Sequence, residues 1–511
     1  MKITGSIAIQ DETNRLEDDR LQCMRLGFVG APLSFVLWFS VMLIGATDFL
    51  AIGASAISAV TAGHSLWLLF SRPRYFWNFL LLSSLVLSFS QNAALAFAIS
   101  FGDSNRVSRL EFALSNVDCN VAEYINALCY CLAFGSVLFA IGTSKISIET
   151  MCRLSKSFRQ FTNGNINRII IVSAALIALQ IALLVSGKWA FRGFVSETYE
   201  ERTVAWYGDF LDYLPLFNLM LLFPFLSQWR ILLREVKILH LLVLASLGAI
   251  TGFSYLTRGR SMMVFAAATS VFLMIEAKQK VLTIRSALIY AAVSGPILLQ
   301  LLVFNNFIRS SNNTSEDWQN KDVRELLTSA IEKFGDHRSE EIDNSIDNLR
   351  TRGLLLTGLA KMISCESPNL PLMGEDIWNS FIVSVPSFIV GDKRNYPVQE
   401  RLVFMRTGVL FPDMADSVYL SSYNDFSFVG LFIVPFVLAS MFWSIGYLSS
   451  RCSPLIAMFA ISPWTSFFIT GINESSMGSP IRSFLFSLLF FGVGLLVSGF
   501  LGDDNIGSAS V

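Results

Sequence analysis

Apolar residues in this chain are gathered into long, nearly unbroken runs, and polar residues into the connections between them. A helix needs ~20 mainly apolar residues to cross a hydrocarbon core of ~30 Å. Runs of about that length fall at roughly 27–46, 49–70, 78–101, 122–143, 168–187, 211–228, 238–257, 261–276, 285–305, 426–447, 454–471 and 481–501. The pattern predicts an all-α, polytopic membrane helix bundle of about 12 transmembrane helices. Five segments follow: an N-terminal tail over 1–26, spans one to nine over 27–305, a long loop over 306–425, spans ten to twelve over 426–501, and a C-terminal tail over 502–511.

The long loop has a pattern of its own. Structureless connections beyond about 15 residues are uncommon in compact proteins, so a segment of this size is expected to carry structure. Val323, Leu326, Leu327, Ala330, Ile331 and Phe334 recur at helical spacing, as do Ile342, Ile346 and Leu349. A third stripe runs through Ile377, Trp378, Phe381, Ile382 and Val385, and Pro386 ends it. Amphipathic helices of this kind can lie on a leaflet above the bundle, as a lid on a cavity.

Composition agrees with the pattern. Of 511 residues, 53% are hydrophobic and 15% charged, where soluble proteins carry charge on about a quarter of theirs. Lys and Arg number 38 against 39 Asp and Glu, a net charge of −1, so no basic excess points to nucleic acid. Seven cysteines are scattered without a C-x-x-C pair, and three histidines are present. That argues against a zinc site and against a disulfide scaffold. No phosphate-binding P-loop, H-E-x-x-H or G-x-S-x-G motif occurs, which excludes the common soluble hydrolase chemistries.

Charge also orients the chain. Residues 1–26 mix both signs and lack an apolar core with a small-residue cleavage site, so they read as a cytoplasmic tail and not a signal peptide. With that end inside, the inward connections hold Arg72 and Arg74, then Lys145, Arg153, Lys156 and Arg159, then Arg230, Arg234 and Lys237, then Lys278, Lys280 and Arg285, and finally Arg451. All are basic, as short cytoplasmic loops should be. The loop 306–425, with 12 basic and 18 acidic residues, faces outward. Both termini are then cytoplasmic.

One outward turn departs from the rule. Thr257-Arg258-Gly259-Arg260-Ser261 places two arginines outside, between spans seven and eight. Arginines near helix ends can snorkel to headgroups. Two of them flanking a glycine, against the insertion bias, point instead to an anion site. Arg192, Arg309, Arg350 and Arg352 lie near span ends or beside glycine on the same predicted face, as do Lys393 and Arg394. The planar guanidinium fork suits phosphate oxygens, and a close pair is worth about 4 kcal/mol at intermediate dielectric. Candidate acids and bases on that face are Glu375, Asp376, Asp416, Asp425 and His337, of which His337 sits in a charged run of surface character.

These features together resemble the Wzy-type polymerases, the O-antigen or oligosaccharide repeat unit polymerases of bacterial membranes. The resemblance is architectural over most of the chain: about twelve spans, both ends inside, one dominant late periplasmic loop between spans nine and ten, and an arginine-glycine turn opening a membrane helix. Locally, Pro386-Ser387-Phe388 followed by Lys393, then Asp416-Ser417, then Ser422-Tyr423-Asn424-Asp425-Phe426-Ser427-Phe428-Val429-Gly430 are similar to segments of that family. Ser427 stands where the family often has glycine after the aromatic.

The resemblance implies a metal-independent glycosyltransferase in the bacterial inner membrane, with no cofactor. A glycan on a polyprenyl diphosphate is transferred to the terminal hydroxyl of another polyprenyl-diphosphate-linked oligosaccharide. The donor is already activated, so the protein has to position it and stabilise the leaving diphosphate. Arg258 and Arg260 would bind the diphosphate, helped by Arg192, Arg309, Arg350 and Arg352. Asp416, Asp425, Glu375 or His337 would serve as base. The implied partners are the lipid-linked substrate, the bilayer and a chain-length regulator protein. Two other readings stay open: a ligase that transfers the finished glycan, and a twelve-span transporter or flippase. Carriers tend to have two similar halves, and here the halves are unlike.

Overall fold

A computed structural model describes residues 121–142, 146, 147, 149, 150, 154, 166–186, 214–222, 238–258, 357–364, 371–385, 387–391, 393–397, 399–408, 417–449, 451–470 and 476–500. The regular elements among the described residues are all helical. They are α1 (Val121–Gly142), α2 (Ile166–Val185), α3 (Ile238–Arg258), α4 (Thr357–Ser364), α5 (Glu375–Ser384), α6 (Ser387–Val390), α7 (Gln399–Thr407), α8 (Val418–Phe426), α9 (Gly430–Ser449), α10 (Pro454–Thr470) and α11 (Gly478–Phe500). Residues 214–222 are helical as well.

Among the described residues, three stretches are long and apolar enough to cross a membrane: Asn167–Val185, Val418–Ser449 and Gly478–Leu496. The chain therefore has the character of a membrane protein. The apolar runs read at 122–143, 168–187, 238–257, 426–447, 454–471 and 481–501 coincide with α1, α2, α3, α9, α10 and α11, and that at 211–228 holds the helical residues 214–222. Those at 27–46, 49–70, 78–101, 261–276 and 285–305 lie outside the described residues, as do the stripes at 323–334 and 342–349.

Packing follows from helical spacing. In α1 the buried positions are Tyr124, Ala127, Tyr130, Cys131, Phe134, Val137 and Leu138, three or four residues apart, and they meet α4, α8 and α9. The Phe134 ring stands edge-on to Tyr419 at 5.1 Å. A second centre forms where Phe217 meets Phe459 and Phe490 at 5.3 and 5.2 Å, each edge to face, with Leu176, Leu183, Leu184 and Ile250 around it. Edge-to-face pairs are worth about 0.5–1.5 kcal/mol beyond area, which counts for more in lipid, where burial of apolar surface from water no longer drives helix association.

The outside of these helices is also apolar. Ile171 on α2, Leu242 on α3, Phe432 and Phe436 on α9, and Leu489, Val493 and Leu496 on α11 are all exposed, as expected where the solvent is hydrocarbon. Interior proline is accommodated locally. Pro463 in α10 has no N–H for the carbonyl of Phe459 four residues back, and Ser462 Oγ donates to that carbonyl at 2.8 Å.

Candidate functional site: the polar junction of α5 and α8

Helix α8 starts at an N-cap. Ser417 has extended backbone and its hydroxyl accepts the N–H of Leu420 at 3.1 Å, the usual service of a serine ahead of an apolar run. The helix ends at Phe426, because Ser427 takes φ 52 and ψ −135, a region that favours glycine. This is the position where the resembled family often carries glycine. A short 3₁₀ turn, Ser427–Val429, then leads into α9. Gly430 opens α9 because a Cβ there would run into the carbonyl oxygen and hydroxyl of Ser422. Tyr130 of α1 holds the turn together: its hydroxyl bonds to Ser422 Oγ at 2.8 Å and donates to the carbonyl of Ser427 at 3.3 Å.

The C-terminal end of α8 and the N-terminal end of α5 complete one another. Carbonyls at a helix C-terminus lack intrahelical partners, as do N–H groups at an N-terminus. The N–H of Leu372 donates to the carbonyl of Asn424 at 2.7 Å and that of Met373 to the carbonyl of Asp425 at 2.9 Å. In return the Asp425 carboxylate accepts the N–H groups of Asp376 at 2.9 Å and Ile377 at 2.8 Å, one on each oxygen. The N-cap of α5 is Gly374, with φ 93 and no side chain to offer, so Asp425 supplies the capping oxygens from 49 residues away. Its negative charge also sits at the positive end of the α5 dipole.

Beside this cap lies a second set of buried polar groups. Gln399, the first residue of α7, donates from Nε2 to Asp376 Oδ2 at 2.9 Å and to Ser421 Oγ at 2.7 Å. Asp376 and Ser421 are buried with it, and so is Asn424. Gln399 Oε1 and both polar atoms of the Asn424 amide make no hydrogen bond, a costly arrangement for buried amides. Carboxylate, amide and hydroxyl together form a donor and acceptor set suited to hydroxyl groups.

Glu375 stands at the edge of the junction, turned outward. Arg406 of α7 grips it as a fork, with Nη2 2.8 Å from both carboxylate oxygens and Nε 3.2 Å from Oε2. These hydrogen bonds, and the attraction to Glu375, raise the Arg406 guanidinium above its ordinary range. At the other end of α5, Lys393 Nζ donates to the carbonyl of Val383 at 2.6 Å, a cation at the negative end of the helix.

No known protein family, curated protein or solved structure matches the chain.

Among the residues singled out from the sequence, the structure brings Asp425, Glu375 and Asp376 to one junction, with Lys393 at the opposite end of α5. Asp425 is fully buried with both oxygens engaged by α5, whereas Glu375 keeps about a third of its side chain exposed. Arg258 is the last residue of α3, and Gly259 to Ser261 of the arginine-glycine turn lie outside the described residues. Arg260, Arg192, Arg309, Arg350, Arg352, Asp416 and His337 lie outside the described residues. Among the described residues no three His, Cys, Asp or Glu side chains are grouped closely enough to hold a metal ion. Asn424 belongs to the Ser422–Gly430 segment, whereas nothing in the sequence marks Gln399 and Ser421 as site residues, because uncharged amides and hydroxyls in an apolar pattern give no sign of which face they occupy.

Proposed function

We propose that the chain polymerises polyprenyl-diphosphate-linked oligosaccharide repeat units into a surface polysaccharide at the periplasmic face of a bacterial inner membrane. What carries the reading is a convergence. The Ser422–Gly430 segment, which bears part of the resemblance to the Wzy-type polymerases, meets the N-terminal end of α5 from the long loop at a polar junction beside membrane-crossing helices, through the bond of Asp425 to Asp376, with Gln399 tying Asp376 to Ser421 beside it.

In this reading the acceptor hydroxyl attacks the anomeric carbon of the donor glycan, the bond from that carbon to the diphosphate oxygen breaks, and polyprenyl diphosphate leaves. The hydroxyl proton passes to a carboxylate. Arg258 and Arg260, with Arg192, Arg309, Arg350 and Arg352, hold the leaving diphosphate, whose growing charge is where preorganised cations act most strongly. Glu375 suits the base because a hydroxyl can approach it; Asp416 and His337 remain candidates. Asp425 serves by positioning α5. The bundle comprises twelve spans with both ends cytoplasmic, and a chain-length regulator is the expected protein partner.

The test is made in a strain lacking this gene. The Arg258→Ala, Arg260→Ala double variant should reach the membrane at normal levels and yield surface glycan of a single repeat. Full-length polymer from it would refute the assignment of the diphosphate site. A ligase would lose attachment to the acceptor while polymer still accumulates on the carrier lipid. A transporter would move substrate in proteoliposomes without forming a glycosidic bond.

A further inference from the structure

Helix α5 is turned inside out. Its buried residues include Asp376, Asn379 and Ser384, while Trp378 is 57% and Phe381 36% exposed. The two exposed rings stack on one another at 5.7 Å and 22°. A helix in water places its polar face outward; this one presents aromatic carbon. The same holds along the following segment, where Ile389 of α6 and Phe404 and Met405 of α7 are exposed, as is Met373 just before α5.

The position of α5 tells what lies against that face. Its N-terminal end is held by Asp425, five residues before α9 begins at Gly430. Its C-terminal end is held at Gly478, the first residue of α11, whose carbonyl accepts from Ser384 Oγ at 3.2 Å. Helices α9 and α11 pack together and are long and apolar, and both begin at this level. Ten residues of helix measure about 15 Å, and packed helices stand about 8–10 Å apart. Bonded at one end beside the start of α9 and at the other to the start of α11, α5 bridges two membrane helices, with a length that fits the gap between neighbours. Both of these helices expose apolar side chains of their own, Phe432 and Leu489 among others. The charges at its edge, Glu375 and Arg406, neutralise each other in a fork, which lowers the cost of holding them near hydrocarbon.

We propose that α5 to α7 form a crossbar seated in one leaflet of the bilayer, with the Trp378 and Phe381 face against the acyl chains. Segment 371–408 is then part of the membrane-embedded body and not of a water-filled loop. This contact holds whatever reaction the chain performs.

Nitroxide labels placed one at a time at Trp378→Cys, Phe381→Cys and Phe404→Cys test it, in the full chain in phosphatidylcholine nanodiscs, with the signal of the labelled native cysteines subtracted. Collision with dissolved oxygen, which concentrates in acyl chains, is compared with collision with a water-soluble nickel chelate. Arg168→Cys, exposed in the first turn of α2 and outside the proposed crossbar, is the control. The expected result is an oxygen-to-nickel ratio severalfold higher at 378 and 381 than at 168. Nickel-dominated collision at 378 and 381 would overturn the proposal in favour of a water-facing surface. Protection from both reagents would overturn it in favour of a protein partner or a second copy of the chain. Phe404→Cys, on a separate helix, gives the same reading if the α5 variants fail to fold.

Discussion

Gln180 and Asn218 close into a reciprocal amide pair between α2 and the helical residues 214–222: Gln180 Nε2 donates to Asn218 Oδ1 at 2.7 Å, and Asn218 Nδ2 returns the bond to Gln180 Oε1 at 3.0 Å. Both side chains are wholly buried. Each amide has its partner in the other, so the pair ties two helices where apolar contact alone would leave them free to slide. Either Gln180→Leu or Asn218→Leu strands the opposite amide and should cost about 1–3 kcal/mol. The double leucine variant should recover much of that loss. Thermal unfolding of the three proteins in detergent measures it, and additive losses would show that the pair contributes nothing as a unit.

Asp425 has two oxygens and gives one to each of two N–H groups. Asp425→Asn keeps the shape but one good acceptor, so Asp376 or Ile377 loses its partner. Asp425→Ala loses both. Stability should fall in the order wild type, Asn, Ala, with the Ala variant down by roughly 1–3 kcal/mol. Limited proteolysis near Gly374 should accelerate in the same order. Equal melting of the Asn and Ala variants would mean that only one of the two bonds matters.

Substitutions three residues apart in the α8–α9 turn should act in opposite directions. Ser427 holds φ 52, a conformation that costs a non-glycine residue about 1–3 kcal/mol, so Ser427→Gly should raise the melting temperature or leave it unchanged. Gly430→Ala drives a methyl group into the Ser422 carbonyl and should lower the yield of folded protein sharply. Loss of the Tyr130 bond to Ser422 should accompany it, read as altered tyrosine absorbance on derivative spectra.

Glu375 separates fold from proposed chemistry. Both it and its partner Arg406 are only partly covered by protein, at the edge of the junction, where ion pairs add little to stability. Glu375→Gln should leave melting behaviour unchanged and, if Glu375 is the base, abolish polymer while the protein stays in the membrane. Arg406→Ala should retain polymer at reduced length or amount. Wild-type polymer from Glu375→Gln would assign the proton transfer to another group.

The helices were legible because hydropathy states them directly. The run at 238–257 and α3, or that at 454–471 and α10, start at the same residue and differ by one at the C-terminal end. Pro386 as the end of the α5 stripe follows from backbone chemistry that a single residue announces. The inversion of α5 was not legible, since the spacing of Trp378 and Phe381 defines a face without saying whether protein or lipid covers it. Nor was the bond of Asp425 to α5, which depends on two segments 48 and 49 residues apart meeting end to end. An acid at the rim of a membrane helix looks catalytic in sequence; in space this one is occupied by backbone.

The mutual capping of α5 and α8 also orders events during synthesis. The first turn of α5 leaves the ribosome well before Asp425, and Gly478, which receives Ser384, comes 94 residues after it. Until then the exposed N–H groups of α5 have water or headgroup oxygens as partners, and its aromatic face has lipid. The crossbar therefore settles last, locked from one end by Asp425 and from the other by Gly478, so that a chain truncated before α11 would carry a helix fastened at one end only.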